Sequence, residues 1–300
     1  MTVVKMRKEN ICAIIVTYNP DIDFPKRVAG IARQANHVLI VDNNSSEVSK
    51  RYLAKLGNLP NVCIIYNQAN LGIAAALNIG VKYALQAGYD WVATFDQDST
   101  ATPPMIASML KAYGTFPEKE KLALIAPRYR AQATGLFTTF SPNAKNAMCK
   151  LYAPILRTMT SGNLIRTNIF ASIGYFNEAM FIDYVDNEFC LRCIKGGLVI
   201  IEVQKAILVH NLGQITQHKF LWRKCAVTNH NYIRRYYITR NRIYLYKKYF
   251  TTFPKWVLVD LRAFILETIK LLLFENDRKM KISSIIRGVY HGLAGKLGKK

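Results

Sequence analysis

The feature that most restricts the fold is a series of short apolar runs alternating with helical stretches. ICAIIVT at residues 11–17 has strand length and stops at Tyr18-Asn19-Pro20. HVLIVD ends at Asp42, VCIIYN covers 62–67, DWVATFDQDS runs into a turn bearing carboxylates, and LALIAP is a fifth run. Helical stretches fall between them, near 23–35 and 46–56, from Gly72 to Gly88, and after Pro103-Pro104. Buried strands alternating with helices predict a parallel α/β sheet. Such sheets bind ligands beyond the carboxyl ends of their strands. Asp42, Asn67 to Asn70 and Asp96 to Ser99 are therefore expected along one edge. Past residue 130 the pattern loosens. GLFTTF and LRTMTSGNLIR read as strands, and Asp186 to Lys195 as a helix stopped by Gly196-Gly197. LVIIEV and AILVH read as two further strands, the second ending at His210. The spacing predicts one domain over 1–215 and a helical region over 216–300.

Charge separates these two parts. The chain of 300 residues carries 41 Lys and Arg against 19 Asp and Glu, a net +22. Residues 1–210 hold 22 basic and 15 acidic side chains, whereas 211–300 hold 19 and 4, a net +15. An excess this local predicts an acidic partner: anionic lipid, a phosphorylated substrate or nucleic acid. No zinc finger, RNA-recognition signature or helix-turn-helix is present, so nucleic acid has no motif behind it. The tail instead interleaves Arg, Lys and Tyr in NYIRRYYITRNRIYLYKKYF, then continues after Pro254 as WVLVDLRAFILETIKLLLF. In the second helix Lys255, Asp260, Arg262, Glu267 and Lys270 fall within an arc of about 160°. Those charges argue against a membrane-spanning helix. A helix lying on a membrane surface and a helix packed on the rest of the protein both fit the pattern. The mean hydropathy of +0.05 is too low for a polytopic membrane protein. The first residues, MTVVKMRKENICAIIV, have too short an apolar run and no cleavage site for a signal peptide. Of six cysteines, Cys190 and Cys193 form a lone C-x-x-C in an apolar helical pattern, which predicts core thiols rather than zinc ligands. Reduced cysteines predict a cytoplasmic protein.

Several polar clusters carry chemistry. Asp96 and Asp98, one residue apart at a strand end, suit a hard divalent cation that also holds phosphate oxygens; capping the next helix is the alternative. In FIDYVDNEFCLR, Asp183, Asp186 and Glu188 crowd together, with Arg192 four residues beyond Glu188. Adjacent acids raise one another's pKa, as a general base requires, while helix capping is again the alternative. His210 at its strand end is a candidate metal ligand. Asp42 is placed either to accept hydrogen bonds from a nucleoside or to cap the next helix. Asn70-Leu71-Gly72 makes a turn at a helix N-terminus, which favours anions. Neither G-x-G-x-x-G nor G-x-x-x-x-G-K occurs, so dinucleotide and P-loop sites are excluded.

VTYNP, VDNNS, NLGIAAALNIG, DQDS and VDNEFCLR, in this order, resemble glycosyltransferase family 2 of the GT-A fold over residues 10–215. FIDYVDNEFCLR, VHNLGQ, RRYYITRNRIYLYKKY and the closing GLAGKLGKK extend the likeness to bacterial rhamnosyltransferases over nearly the whole chain. The resemblance implies a Rossmann-like, mostly parallel mixed sheet flanked by helices, with a membrane-associating helical region. It implies Mg²⁺ or Mn²⁺ at Asp98, Asp96 and His210. Thr17, Tyr18, Asn19, Asp42, Asn70, Gly72, Asp96, Ser161 and Gly162 would line the donor. Asp186 matches the family's catalytic base. Val185 stands where many relatives carry an acid, so Asp183 stays beside Asp186 as a candidate, with Glu188 nearby. The donor would be dTDP-rhamnose, with another nucleotide sugar, such as a UDP-hexose, as the alternative. The acceptor would be a polyprenyl-diphosphate-linked glycan at an anionic membrane surface, contacted by Arg234, Arg235, Tyr236, Arg240 and Trp256. A sugar nucleotidyltransferase shares the fold class, but VTYNPDIDFP has no glycine after the first strand, where those enzymes carry a Gly-rich loop.

Overall fold

The computed structural model describes residues 10–138, 140, 150–210, 216–220 and 223–300. They fall into two compact units, Met1–Glu178 with Val185–Asn211, and Ala179–Tyr184 with Leu212–Lys300. The boundary expected near residue 215 lies outside the described residues. The short insertion of 179–184 into the second unit has no counterpart in the sequence reading.

The first unit is built on one mixed sheet. Strands β1 (Ile11–Thr17), β2 (His37–Asp42), β3 (Val62–Tyr66) and β4 (Trp91–Asp96) pair in parallel, in the spatial order β3-β2-β1-β4. Helices α1 (Phe24–Ala32), α2 (Glu47–Ala54) and α3 (Ile73–Gln86) make the crossovers. Every residue of β1 is buried, as an apolar run without alternation requires. The register sets Thr17 opposite Asp42, Asp42 opposite Tyr66, and Val16 opposite Asp96. The three polar strand ends thus lie along one edge, as the alternation predicts.

The rest of the sheet departs from the sequence reading. A two-residue strand, β5 (Thr100–Ala101), precedes α4 (Met105–Thr115) and β6 (Leu122–Ala131). GLFTTF gives only β7 (Phe137–Thr138), and Thr139 is outside the described residues. A three-residue strand, β8 (Tyr152–Pro154), pairs with the long strand further on. Of LRTMTSGNLIR only β9 (Leu164–Arg166) is a strand, and it runs antiparallel between β4 and β6. The preceding residues form a loop because their polar side chains and carbonyls are engaged by neighbouring strands, as described below. After α5 (Ile169–Ile173) and α6 (Val185–Lys195), LVIIEV and AILVH form a single strand, β10 (Val199–His210). A register shift against β6 between Val203 and Ile207 is all that marks the expected break.

The second unit holds a hairpin, β11 (Thr216–Phe220) with β12 (Arg223–Val227), and the helices α7 (Tyr232–Tyr249), α8 (Pro254–Phe274) and α9 (Arg278–Leu293). Asn231 caps α7 by accepting from the Arg234 amide at 2.8 Å. α9 packs directly on α7. A Cβ at Gly292 would lie 2.6 Å from the Arg240 carbonyl oxygen, so that contact requires glycine. No described helix is long and apolar enough to cross a membrane.

Candidate active site

Long-range strand pairing assembles the acid cluster. β4 ends at Asp96, and the chain turns through Gln97 and Asp98 into β5. That strand pairs antiparallel with Leu208 and Val209 of β10, which carries His210 to the turn. His210 Nδ1 lies 2.9 Å from Ser99 Oγ and 3.5 Å from an Asp98 carboxylate oxygen. Asp96, Asp98 and His210 each offer one ligand atom within 4.8 Å of the others, and all three are partly exposed. Two carboxylates and an imidazole at this spacing fit a divalent cation such as Mg²⁺ or Mn²⁺, with open positions for other ligands.

A buried polar layer supports the cluster. The Ser99 hydroxyl is 2.8 Å from that of Ser161, and Ser161 Oγ accepts from the Asp96 amide at 2.9 Å. The Tyr129 hydroxyl lies 2.8 Å from Thr158 Oγ1 and donates to the Ser161 carbonyl at 2.9 Å. Thr94 Oγ1 donates to the Thr160 carbonyl at 2.6 Å. These bonds turn residues 158–163 into a fixed loop. Gly162 sits at φ +83°, and a Cβ there would meet Pro127 Cγ at 2.7 Å and Leu208 Cδ2 at 2.9 Å. Burial holds the Tyr129 phenol well above its ordinary pKa, and the Asp186 and Asp96 carboxylates push the same way, against the opposing bond to Thr158. The phenol therefore stays a proton donor, and Asp186 and Asp96 both act on this one hydroxyl.

Along the strand ends, Thr17 Oγ1 donates to Asp42 at 2.8 Å, and the Ser45 amide donates to its other oxygen at 2.9 Å. Asp42 is fully buried, so it ties β1 to the turn before α2. The carboxylate is engaged in the turn itself, one residue short of Ser46, the N-cap of α2. Asn19 accepts from the Ser46 amide at 2.8 Å. Tyr18 is half exposed. Its amide donates to Gln97 Oε1 at 2.8 Å, and Gln97 Nε2 donates back to its carbonyl at 3.2 Å. Arg27 Nε donates to the Gln97 carbonyl at 2.8 Å. Asn70 Oδ1 accepts from the Gly72 amide at 2.9 Å, fixing the turn into α3. Gln97, Ser99 and Arg27 were not singled out in the sequence, although the first two lie within the acidic turn. Tyr129 had no local signal at all.

The acids of the 181–192 segment separate. Asp186 stands in the first turn of α6 and accepts from the Asn187 amide at 2.7 Å. Glu188 is only 1% exposed and is gripped by Arg192, whose Nη2 lies 2.8 Å from the carboxylate. Arg192 also donates to the Ile173 and Tyr175 carbonyls at 2.6 and 2.7 Å. Glu188, through Arg192, thus holds α6 to the preceding loop. Burial pushes the Cys193 thiol up to about 12 and Cys190 well above its usual value, so both are protonated core thiols. Cys149 lies outside the described residues.

In the second unit, Asp183 has φ +62°, and Arg234 Nη2 meets its carboxylate at 2.9 Å. Among the five residues expected to face an acceptor or membrane, only Arg234 reaches the surface. Arg235, Tyr236, Arg240 and Trp256 are buried. Three of them are tied inside the unit: Arg235 pairs with Glu275, Tyr236 hydrogen-bonds His291 at 2.7 Å, and Arg240 donates to the Met180 carbonyl at 3.0 Å. Trp256 packs edge-on against Tyr246 at 6.2 Å.

A sequence model of glycosyl transferase family 2 matches residues 12–171, more than half of the chain. The dTDP-rhamnosyl transferase RfbF of Shigella flexneri is 28% identical over 297 residues, 95% of both chains. The galactofuranosyltransferase GlfT1 of Mycobacterium tuberculosis is 25% identical over 220 residues, 68% of this chain and 71% of that protein. Among solved structures, the mannosyltransferase PcManGT of Pyrobaculum calidifontis, in complex with GDP-Man and Mn²⁺, aligns with a TM-score of 0.58 at 13% identity. It covers 97% of this chain and 89% of its own. GalNAc-T7 with UDP, GalNAc and Mn²⁺ aligns at 0.62 with 11% identity over 96% of this chain, which spans 56% of that protein. These likenesses show the GT-A fold. On that fold, with the family's sequence pattern running from β1 into α5, the chain belongs to glycosyltransferase family 2.

Proposed function

We propose that the chain transfers L-rhamnose from dTDP-β-L-rhamnose to a hydroxyl of a polyprenyl-diphosphate-linked glycan. The work would be done at the inner, cytoplasmic face of the membrane during synthesis of a cell-surface polysaccharide such as an O-antigen. One observation carries the choice of sugar: the likeness to a dTDP-rhamnosyl transferase runs through 95% of both chains, tail included. The galactofuranosyltransferase likeness stops at 68% of this chain.

In this reading the nucleoside lies over Thr17, Tyr18 and Asn19, with Asn70 and Gly72 on its other side and Asp42 bracing the strand ends from beneath. The sugar sits against the Ser161-Gly162 loop. Asp98, Asp96 and His210 would hold Mg²⁺ or Mn²⁺, which supplies positive charge beside the diphosphate leaving group. Asp186 takes the proton of the acceptor hydroxyl as that oxygen bonds to the anomeric carbon. The bond from that carbon to the diphosphate oxygen breaks on the opposite face, and dTDP leaves with the electron pair. Inversion of a β-linked donor yields an α-L-rhamnoside. Asp183, already paired with Arg234, is the weaker candidate for the base.

The deciding experiment offers dTDP-rhamnose, UDP-hexoses and UDP-N-acetylhexosamines in turn to the full chain with synthetic lipid-linked acceptors. Product linkage is read by NMR. Rhamnoside formation supports the proposal. Turnover of a UDP-sugar with dTDP-rhamnose ignored would overturn the donor while leaving the family intact. Chelation of divalent ions should stop transfer, and added Mn²⁺ or Mg²⁺ should restore it. Release of the full chain from membranes by high salt or carbonate would support peripheral docking.

A further inference from the structure

The two C-terminal helices line an open, shallow groove of about 740 Å³. Leu272 of α8 with Ile282, Ile286 and Tyr290 of α9 form its apolar wall, and Arg278, Lys279 and Arg287 line the same groove. No carboxylate lines it. Three acids of this unit are engaged within it, and Asp277, just before Arg278, is exposed. Glu275 pairs with Arg235 and Lys281, and Asp260 and Glu267 pair with Arg242. The net positive charge of the tail is thereby left to side chains such as Lys279 and Arg287, which are exposed.

The groove continues into a larger apolar face. Among the described residues, twelve of the twenty-three exposed large hydrophobic side chains lie on α8 and α9. On α8, Leu258, Ile265, Ile269 and Leu272 recur at helical spacing and point outward together. An apolar stripe of this extent is not a feature of an ordinary wetted surface. A hydrocarbon partner would suit the stripe and wall. The cations at the groove require a partner that is anionic as well as apolar, and an acidic phospholipid has both parts in one molecule.

We propose that the α8–α9 groove binds an anionic phospholipid of the bilayer. An acyl chain lies along Leu272, Ile282 and Ile286, and the headgroup phosphate is met by Arg278, Lys279 and Arg287. Tyr290 sits at the polar boundary, where amphipathic rings settle. The inference rests on the membrane docking proposed above and gives it an address.

The test is co-sedimentation of the full-length protein with vesicles of phosphatidylcholine alone, or with phosphatidylglycerol added. The wild type should bind the mixed vesicles and lose binding as salt rises. The Lys279→Gln/Arg287→Gln double variant should bind them roughly tenfold or more weakly, since each cation near such a surface contributes about fivefold. Its thermal unfolding should match the wild type. Ile286→Ser should weaken binding as well, without changing the salt dependence. If the double variant and Ile286→Ser both bind like the wild type, the groove assignment fails and membrane docking stands. If the wild type binds no anionic vesicle, docking itself fails and takes the groove with it. Vesicles carrying polyprenyl phosphate in place of phosphatidylglycerol give a third arm. Groove-dependent binding that is tighter there would assign the site to the carrier lipid and overturn the phospholipid proposal.

Discussion

The two units distribute polar and apolar side chains in opposite ways. In the sheet unit, β1 and β2 bury apolar residues on both faces, and Asp96 and Asp98 stand at a strand end partly open to solvent. In the helical unit the buried layer contains Arg235, Arg240, Arg242, Asp260 and Glu275, and leucine and isoleucine cover the outside of α8. Burying ion pairs gives little net stability, because desolvation offsets most of the attraction. An outward apolar face gives none until something covers it. The sheet unit therefore covers its own apolar strands. The helical unit leaves an apolar face of α8 exposed and holds its shape by polar contacts within. Each substitution below tests one side of this contrast.

The largest effect belongs to the open acids. Asp98→Asn and Asp186→Asn should each lower transfer by roughly 10²- to 10⁴-fold, the range for removing a general base or a principal charge at the reaction centre. Neither residue is in the hydrophobic core, so thermal unfolding should stay within a few degrees of the wild type. Turnover near the wild-type rate in either variant would remove that residue from the reaction. The same assay on Asp183→Asn separates the two candidate bases. Paired with Arg234, Asp183 should matter less than Asp186 to the rate.

How far the sequence revealed this arrangement follows from the range of the interactions. The first four strands and their helices were legible because each is a local run of the right length and composition. Parallel pairing then places their polar ends together without further information. Asp96 and Asp98 were legible for the same reason. His210 was a candidate only by its strand end, and what brings it to Ser99 is the pairing of β5 with β10, more than a hundred residues apart. The insertion of β9 between β4 and β6 has a strand of three residues and no periodic signal. Tyr129 looks like any residue of a buried strand until the loop at 158–163 closes over it. In the tail, the charged arc of α8 was visible, but its division was not. Asp260 and Glu267 turn inward to Arg242, while the aliphatic stripe of the same helix is left outside. Amphipathicity gives the angle between faces and leaves open which face is buried.

The next effect tests the inverted core. Arg242 is 5% exposed on its side chain, with Nε 2.9 Å from Asp260 and Nη1 3.1 Å from Glu267. Tyr246 and Tyr184 donate to the same Asp260 carboxylate at 2.7 and 3.0 Å. Arg242→Met strands that buried anion and should destabilise the helical unit by roughly 3–5 kcal/mol in urea unfolding. Adding Asp260→Leu should recover much of the loss, because the uncompensated charge goes with it. A single variant as stable as the wild type would show that the network is not what holds the helices.

A smaller effect is expected where the sheet unit is strained. Gly162→Ala forces a side chain into a left-handed backbone and against Pro127 and Leu208. It should cost about 1–3 kcal/mol. The displaced loop carries Ser161, which receives the Asp96 amide, so KM for the donor should rise along with the loss of stability. An unchanged KM would mean that the loop does not border the sugar.

The smallest effect, at Ile265, tests the contrast most directly when set beside the same change at Ile14. Ile14 on β1 is fully buried, whereas Ile265 on α8 is 52% exposed. Isoleucine to serine removes similar apolar area from both side chains but changes its environment very differently. At Ile14 the hydroxyl enters a packed interior and the lost methyl groups leave a cavity, so the sheet unit should lose about 3 kcal/mol or more. At Ile265 the lost groups were already facing water, and stability in buffer should move by no more than about 0.5 kcal/mol. Vesicle binding by Ile265→Ser should nonetheless weaken, because the hydrocarbon that would cover that side chain belongs to the membrane and not to the protein. A loss above about 1.5 kcal/mol in buffer would show that Ile265 is covered by the folded chain itself. The helical unit would then be an ordinary packed bundle rather than an apolar face held ready for lipid.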